Sequence, residues 1–139
     1  MEIKRILLPV DGSEHSRRAA DYAIELAKLV GAEIMLIHCR QIPIVETHIP
    51  GYDQTLAALK AESQVTLEAY KNLLQKSGIP FQDKIVEGRA RDVIPSMAAK
   101  GIDLVVMGSH GRTNLEGLFL GSVTQRVLST KPRCPVLVV

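Results

Sequence analysis

The feature that most constrains the fold of this chain is a regular alternation of short apolar segments with longer segments of helical periodicity. Apolar runs of this length, bounded by turn residues, are typical of strands that are buried on both faces. The five predicted strands cover residues 3–10, 32–39, 81–88, 102–108 and 135–139. Because strand and helix alternate throughout, the sequence predicts an α/β fold, a doubly wound parallel sheet with helices on both faces.

Four helices fill the intervals between these strands, and their ends carry recognisable signals. The first begins after Ser13, a residue type that caps helix N-termini, and ends at Gly31. The second covers about residues 53–77, and the third lies within residues 89–100, where Pro95 predicts a short or bent helix. The last covers residues 122–131, and residues 40–52 are predicted to form a loop.

The order of the strands determines where a ligand would bind. Crossovers between parallel strands are right-handed, which leaves few strand orders, and 3-2-1-4-5 is a common one. In that order the winding reverses between the first and fourth strands, and ligands of open α/β sheets bind beyond the carboxyl ends of the strands at that point. Residues 9–12 (PVDG) and 108–111 (GSHG) follow these two strands. We therefore expect both loops to face one crevice.

The composition is that of a globular domain, and it argues against several classes of function. The 139 residues predict one domain over residues 1–139, with 46% hydrophobic and 23% charged residues. A net charge of +2, spread evenly, does not favour nucleic acid or an anionic membrane as a partner. No apolar run is long enough for a membrane span or a signal peptide, so we expect a cytoplasmic protein. Cys39 and Cys134 form no CxxC pair, and the four histidines lack the spacing of a zinc site.

A glycine-rich loop, GSHGRTNLEGLFLGS at residues 108–122, follows the fourth strand. Glycines let backbone N–H groups approach a ligand closely, often at positive φ. Gly121 and Ser122 open the last helix, where unpaired N–H groups and the helix dipole favour an anion. Ser122 adds a hydroxyl and Arg112 a mobile positive charge. The loop therefore predicts a site for a di- or triphosphate.

The spacing of the glycines identifies the kind of phosphate loop. A Walker A loop requires GxxxxGK[ST], whereas GLFLGS is one residue short and has no lysine; the dinucleotide fingerprint GxGxxG is replaced by DGSEHS. The pattern Gly108-x2-Gly111-x9-Gly121-Ser122 resembles the ATP-binding signature of the universal stress protein family. The resemblance extends over the chain through ILLPVDGSEHS, LIHC, VEGRARDVI and IDLVVMGSHGR.

This resemblance implies the predicted five-stranded fold and a set of ATP contacts. The phosphates would lie against Gly108, Gly111, Gly121 and Ser122, with Arg112 nearby and Val123 behind them. Asp11 would face the ribose, or a Mg²⁺ or Mn²⁺ ion held by the phosphates. The adenine pocket would be lined by Pro9, Val10 and Cys39, although family members often carry an aliphatic residue at the last position, and its far side would be closed by Gly88 and Arg89.

Several alternatives stay open at this point. Asp11 could cap the first helix alongside Ser13 instead of meeting a ligand. The sequence offers no clear general base beyond Asp11, so an ATP-binding stress-response protein whose nucleotide state alters its partners is preferred over a slow ATPase. A dimeric interaction module that works without nucleotide is a further alternative. The apolar ending PVLVV predicts an edge strand that pairs with a second copy in a homodimer, unless a loop covers that edge.

Overall fold

The computed structural model describes residues 1–43, 48–112 and 117–139, and within them strands and helices alternate along the chain. The elements are β1 (Arg5–Pro9), α1 (Glu14–Val30), β2 (Glu33–Arg40), α2 (Tyr52–Ser77), β3 (Phe81–Glu87), α3 (Ala90–Ala98), β4 (Leu104–Met107), α4 (Ser122–Ser129) and β5 (Val136–Val138). The strands form a parallel five-stranded sheet of order β3-β2-β1-β4-β5. The predicted fold class and strand order are confirmed.

Strand β1 lies at the centre of the sheet, between β2 and β4. Its Leu7 is in register with Met35 of β2 on one side and with Val105 of β4 on the other. The winding reverses between β1 and β4, so the switch point lies at the carboxyl ends of these two strands. The strands β3 and β5 form the two edges of the sheet.

Helices α1 and α2 cover one face of the sheet, and α3 and α4 cover the other. On the first face Leu8 of β1 packs in a core with Ala23 of α1 and Leu67 of α2. On the second face Leu7 packs in a separate core with Ile94 and Val127. Since adjacent side chains of a strand point to opposite faces, two covered faces require a continuous apolar run, as the sequence of β1 has.

The ends of the helices follow mostly from local sequence. Ser13 caps α1 by accepting a hydrogen bond from the N–H of Ser16 at 3.1 Å, and Gly31 ends the helix in the left-handed conformation at φ 73°. α3 has nine residues and contains Pro95, so the prediction of a short helix is confirmed. α4 ends at Ser129, two residues before the predicted end, because Lys131 precedes a proline and adopts φ 52°.

No helix among the residues described combines the length and the apolar character that a bilayer span requires.

Candidate functional site

A crevice of about 90 Å³, open to solvent, lies at the switch point between the carboxyl ends of β1 and β4. The structure brings seven of the predicted site residues to its walls: Pro9, Val10, Asp11, Cys39, Gly108, Gly111 and Val123. The walls also include six residues that were not predicted: Ser16, Ala90, Ile94, Met107, His110 and Thr124. The two loops that were expected to face one crevice therefore do so.

Asp11 connects the start of α1 with the glycine loop. Its Oδ1 accepts a hydrogen bond from the N–H of Ser13 at 2.9 Å. Its Oδ2 lies 2.9 Å from the position that a Cβ would take on Gly111. The backbone N–H of Asp11 donates to the Oγ of Ser16 at 3.1 Å. One carboxylate oxygen thus stabilises the turn before α1, as the alternative interpretation expected, while the other faces the loop.

Two of the loop glycines are required by close approach of the backbone. A Cβ on Gly108 would lie 2.8 Å from the Cβ of His15 and 2.9 Å from its carbonyl carbon. A Cβ on Gly121 would lie 3.0 Å from the Cα of His110 and 3.3 Å from the carbonyl oxygen of Ser109. Neither glycine has a positive φ. Their role here is to let α1 and the two ends of the loop pack against each other, which differs from the positive-φ role expected from the sequence.

Hydrogen bonds tie the ends of the loop to each other and to the sheet. The N–H of Gly121 donates to the carbonyl of Ser109 at 2.7 Å, and the N–H of Ser109 donates to the carbonyl of Val139, also at 2.7 Å. The hydroxyl of Thr124 donates to the carbonyl of Gly108 at 2.9 Å. Two loop amides are therefore already bound to protein oxygens, and residues 113–116 lie outside the described part of the loop. The amides best placed for a ligand are those of the first turn of α4.

The N-terminus of α4 differs from those of the other helices. Its N-cap, Gly121, provides no side-chain hydrogen bond, as is also true of the N-caps of α2 and α3, but only the first turn of α4 contains no acidic residue. The first turns of α1, α2 and α3 each contain one, namely Glu14, Asp53 and Asp92. The first amides of a helix have no partner within it, and together with the helix dipole they favour a negative charge. Ser122 is exposed at this position, and Val123 and Thr124 line the crevice.

The wall formed by the α3 and α4 side of the sheet is apolar. It combines Cys39 at the end of β2, Met107 of β4, and Ala90 and Ile94 of α3. Burial raises the pKa of the Cys39 thiol to about 11, so the thiol is neutral and contributes apolar surface. The sequence signal for Ile94 was its place in a helical stripe, which predicts a core residue equally well.

Gly88 and Arg89, which were predicted to close the far side of the adenine pocket, lie outside the crevice. Gly88 has φ 145°, and a Cβ there would lie 2.9 Å from the Cγ2 of Val93. Arg89 is the N-cap of α3, and its guanidinium lies 3.9 Å from the carboxylate of Asp92. Neither residue lines the crevice, whereas the neighbouring Ala90 does.

Arg112 points away from the crevice. Its guanidinium forms an ion pair with Glu62 of α2 at 2.9 Å, and both side chains are more than half exposed, at 56% and 57%. Exposed pairs of this kind contribute at most about 1 kcal/mol, so they are easily exchanged for another partner. The structure therefore places this cation beside the loop, on the α2 side of the turn at Gly12.

His110 lines the crevice, but both of its ring nitrogens are bound to protein. Its Nε2 lies 2.8 Å from the carbonyl oxygen of Leu118, and its Nδ1 lies 2.9 Å from the Oγ of Ser109. A carbonyl only accepts, so Nε2 donates to it, and Nδ1 is paired with the serine hydroxyl. The ring also packs 5.0 Å, between centroids, from that of His15. This arrangement organises the loop and leaves no ring nitrogen available as a base.

Fold and crevice together define a doubly wound α/β protein with a glycine-rich loop at its switch point. The family model described as "Universal stress protein family" matches residues 2–139. The chain belongs to the universal stress protein family.

Relatives and solved structures agree with this assignment over the length of the chain. Universal stress protein MJ0531 of Methanocaldococcus jannaschii is 37% identical over 139 residues, which cover 98% of this chain and 81% of that protein. A universal stress protein of Thermus aquaticus is 34% identical, with 98% of each chain covered. The solved structure of MJ0577, another universal stress protein of M. jannaschii, superposes with a TM-score of 0.86 at 33% identity, covering 100% of this chain and 96% of the other.

Proposed function

We propose that this protein binds ATP with Mg²⁺ or Mn²⁺ in the switch-point crevice and that nucleotide occupancy alters its association with partners. The observation that carries the proposal is the N-terminus of α4, which has no side-chain cap and no acidic residue and opens onto the crevice. An anion there would supply the negative charge that an acidic residue places in the first turn of each of the other three helices.

The phosphates would lie between this helix end and the loop glycines. Amides of Ser122, Val123 and Thr124 point out of the helix end, and Gly108 and Gly111 present backbone without side chains. A hydrogen bond to a charged group contributes roughly 1.5–3 kcal/mol, so several such bonds favour a polyphosphate over a neutral ligand. Arg112 would join them by leaving its exposed pair with Glu62.

The base would lie against the apolar wall formed by Cys39, Ile94 and Met107, with Pro9 and Val10 at the end of β1. Two universal stress proteins of this fold were solved in complex with cAMP and with dAMP, both of them adenine nucleotides. Each is 22% identical to this chain, with TM-scores of 0.70 and 0.71, so the likeness is one of fold. The support for a triphosphate comes from the loop of this chain.

Asp11 would hold the ribose or the cation with the Oδ2 that faces the loop. Among the residues that the structure describes, no three His, Cys, Asp or Glu side chains lie together as a metal site. A cation would therefore be shared between Asp11 and the phosphates, whose charge it neutralises. With both nitrogens of His110 bound to protein, the proposal is a binding protein rather than an efficient ATPase.

The predicted homodimer belongs to the same proposal. β5 is an edge strand whose three residues are all half-buried, and it pairs with β4 on one side. A second copy would pair with its other side. The cytoplasmic location stays a prediction.

Thermal unfolding with and without Mg²⁺ and ATP tests the proposal. At about a hundred times its dissociation constant, ATP adds roughly 2.7 kcal/mol to the free energy of unfolding. With an unfolding entropy of about 0.29 kcal/mol/K for a chain of this length, the Tm rises by about 9 °C. An unchanged Tm, together with no binding by calorimetry, would contradict ATP binding and favour the interaction module that works without nucleotide.

A negative charge introduced at the N-terminus of α4 tests whether the phosphates bind there. Ser122→Glu supplies the acidic first turn that α4 lacks, so the protein should remain stable while ATP is repelled. Ser129→Glu is the matched control, because it places the same charge at the exposed far end of the same helix. We expect the ATP-induced rise in Tm to be lost in the first variant and kept in the second. Equal rises in both variants would place the phosphates elsewhere.

A further inference from the structure

A buried hydrogen-bonded chain connects α2 with the turn that carries Asp11. The phenolic oxygen of Tyr70, on α2, lies 2.8 Å from the Oγ of Ser16, on α1. The same Oγ accepts the backbone N–H of Asp11 at 3.1 Å. Tyr70 thus reaches the candidate site through one intervening side chain, although it does not line the crevice itself.

The two hydroxyl groups of this hydrogen-bonded series, those of Tyr70 and Ser16, are buried and bond each other. Tyr70 is 5% exposed and Ser16 is 4% exposed. A buried hydroxyl without a partner is costly, so each hydroxyl fixes the position of the other. Burial raises the pKa of the Tyr70 phenol, and the hydrogen bond with Ser16 opposes this only in part, so the phenol stays protonated at neutral pH.

Packing and hydrogen bonds hold both ends of this hydrogen-bonded series, namely Tyr70 and the backbone at Asp11. Tyr70 packs in the core of the α1 and α2 layer with Leu67 and Leu74. On the opposite side of the turn, the Nδ1 of buried His38 lies 2.8 Å from the carbonyl of Val10, to which it donates. The backbone before and at Asp11 is therefore held from β2 and from α2, while the carboxylate of Asp11 extends toward Gly111.

We propose that Tyr70 is a positioning residue of the nucleotide site, acting through Ser16 to hold the Asp11 backbone so that the Oδ2 of Asp11 faces the ligand. This inference rests on the proposed function. It assigns to α2, a helix outside the crevice walls, a part in the affinity for nucleotide. No bond is made or broken in this role, because Tyr70 affects only the position of Asp11.

Tyr70→Phe removes only the phenolic oxygen and keeps the ring in the core. We expect the dissociation constant of ATP with Mg²⁺, measured by calorimetry, to rise by about three- to tenfold, the range that the loss of one buried hydrogen bond produces. Tyr22→Phe is the matched control, because Tyr22 is 52% exposed on α1. It should bind ATP within about twofold of the wild type. Equal affinity in Tyr70→Phe and the wild type would overturn the inference and leave the proposed function intact.

Two further measurements distinguish positioning from general stability. In the ligand-free protein, the amide NMR signal of Asp11 should shift and its hydrogen exchange should accelerate in Tyr70→Phe, with Tyr22→Phe unchanged. Ser16→Ala breaks the same chain, so the double variant with Tyr70→Phe should bind ATP no more weakly than Ser16→Ala alone. Additive losses, or an unaltered Asp11 amide, would overturn the inference. Wild-type protein that binds no nucleotide would overturn the proposed function and this inference with it.

Discussion

The hydrogen bond between α4 and the end of β4 offers a direct test of how the candidate site is held together. Thr124 is 2% exposed, and its hydroxyl donates to the carbonyl of Gly108 at 2.9 Å. Thr124→Val keeps the shape of the side chain and removes the donor, so a buried carbonyl loses its partner. An unsatisfied buried group of this kind costs about 1–3 kcal/mol of the free energy of unfolding.

This cost converts into a measurable change in Tm. Unfolding entropy is about 2.1 cal/mol/K per residue, or about 0.29 kcal/mol/K for the whole chain, so the Tm of Thr124→Val should fall by about 3–10 °C. Thermal unfolding by calorimetry or circular dichroism measures it. ATP affinity should also fall, because the first turn of α4 is no longer held against the loop.

A matched substitution at the other end of α4 provides the control. Thr130 is exposed, and its hydroxyl donates to the carbonyl of Val127 within the same segment. Thr130→Val should therefore lower the Tm by less than about 2 °C. If Thr124→Val melts within about 1 °C of the wild type, or if both variants fall equally, the bond to Gly108 does not hold the site and the reasoning is refuted.

Two further predictions concern the walls of the crevice. Gly108→Ala would bring a Cβ to 2.8 Å from the Cβ of His15, so α1 must shift. We expect the free energy of unfolding to fall by about 1–3 kcal/mol, measured as a lower Tm. An unchanged Tm would contradict the close approach. The second prediction concerns Cys39 in a Cys134→Ser background. Burial raises the pKa of its thiol from the ordinary value of 9.0 to about 11, so alkylation at pH 8 should be about 100-fold slower in the native protein than in urea. Because the folded pKa is the higher one, the stability that the neutral thiol contributes is present below pH 9.0 and is lost as the pH rises toward 11; equal alkylation rates in both states would contradict the burial of this thiol.

Much of the fold could be predicted because its signals are local. The continuous apolar run of β1 reports that both faces of the sheet are covered, since Leu7 and Leu8 belong to different cores. Ser13 and Gly31 mark the ends of α1 through bonds to residues within one turn. The early end of α4 was also open to prediction, because a residue before proline disfavours helix, and Lys131 is such a residue.

The candidate site could be predicted only in part. The loops after β1 and β4 meet because the strand order brings them together, and that order was among the few that right-handed crossovers allow. Arg112 was expected near the phosphates, but its position depends on Glu62, which lies 50 residues earlier in the chain. Gly108 was expected to serve the ligand, whereas the structure shows that the backbone of His15 also requires a glycine there.

The sequence by itself determined the alternation of strands and helices, the caps and the glycine spacing, because each depends on residues that are neighbours in the chain or on one face of one element. Only the tertiary structure decided that Tyr70 bonds Ser16, 54 residues away in sequence, and so reaches Asp11, and that Ala90 lines the crevice. Such contacts depend on how whole helices pack on the sheet. Packing brings together side chains that no local pattern relates.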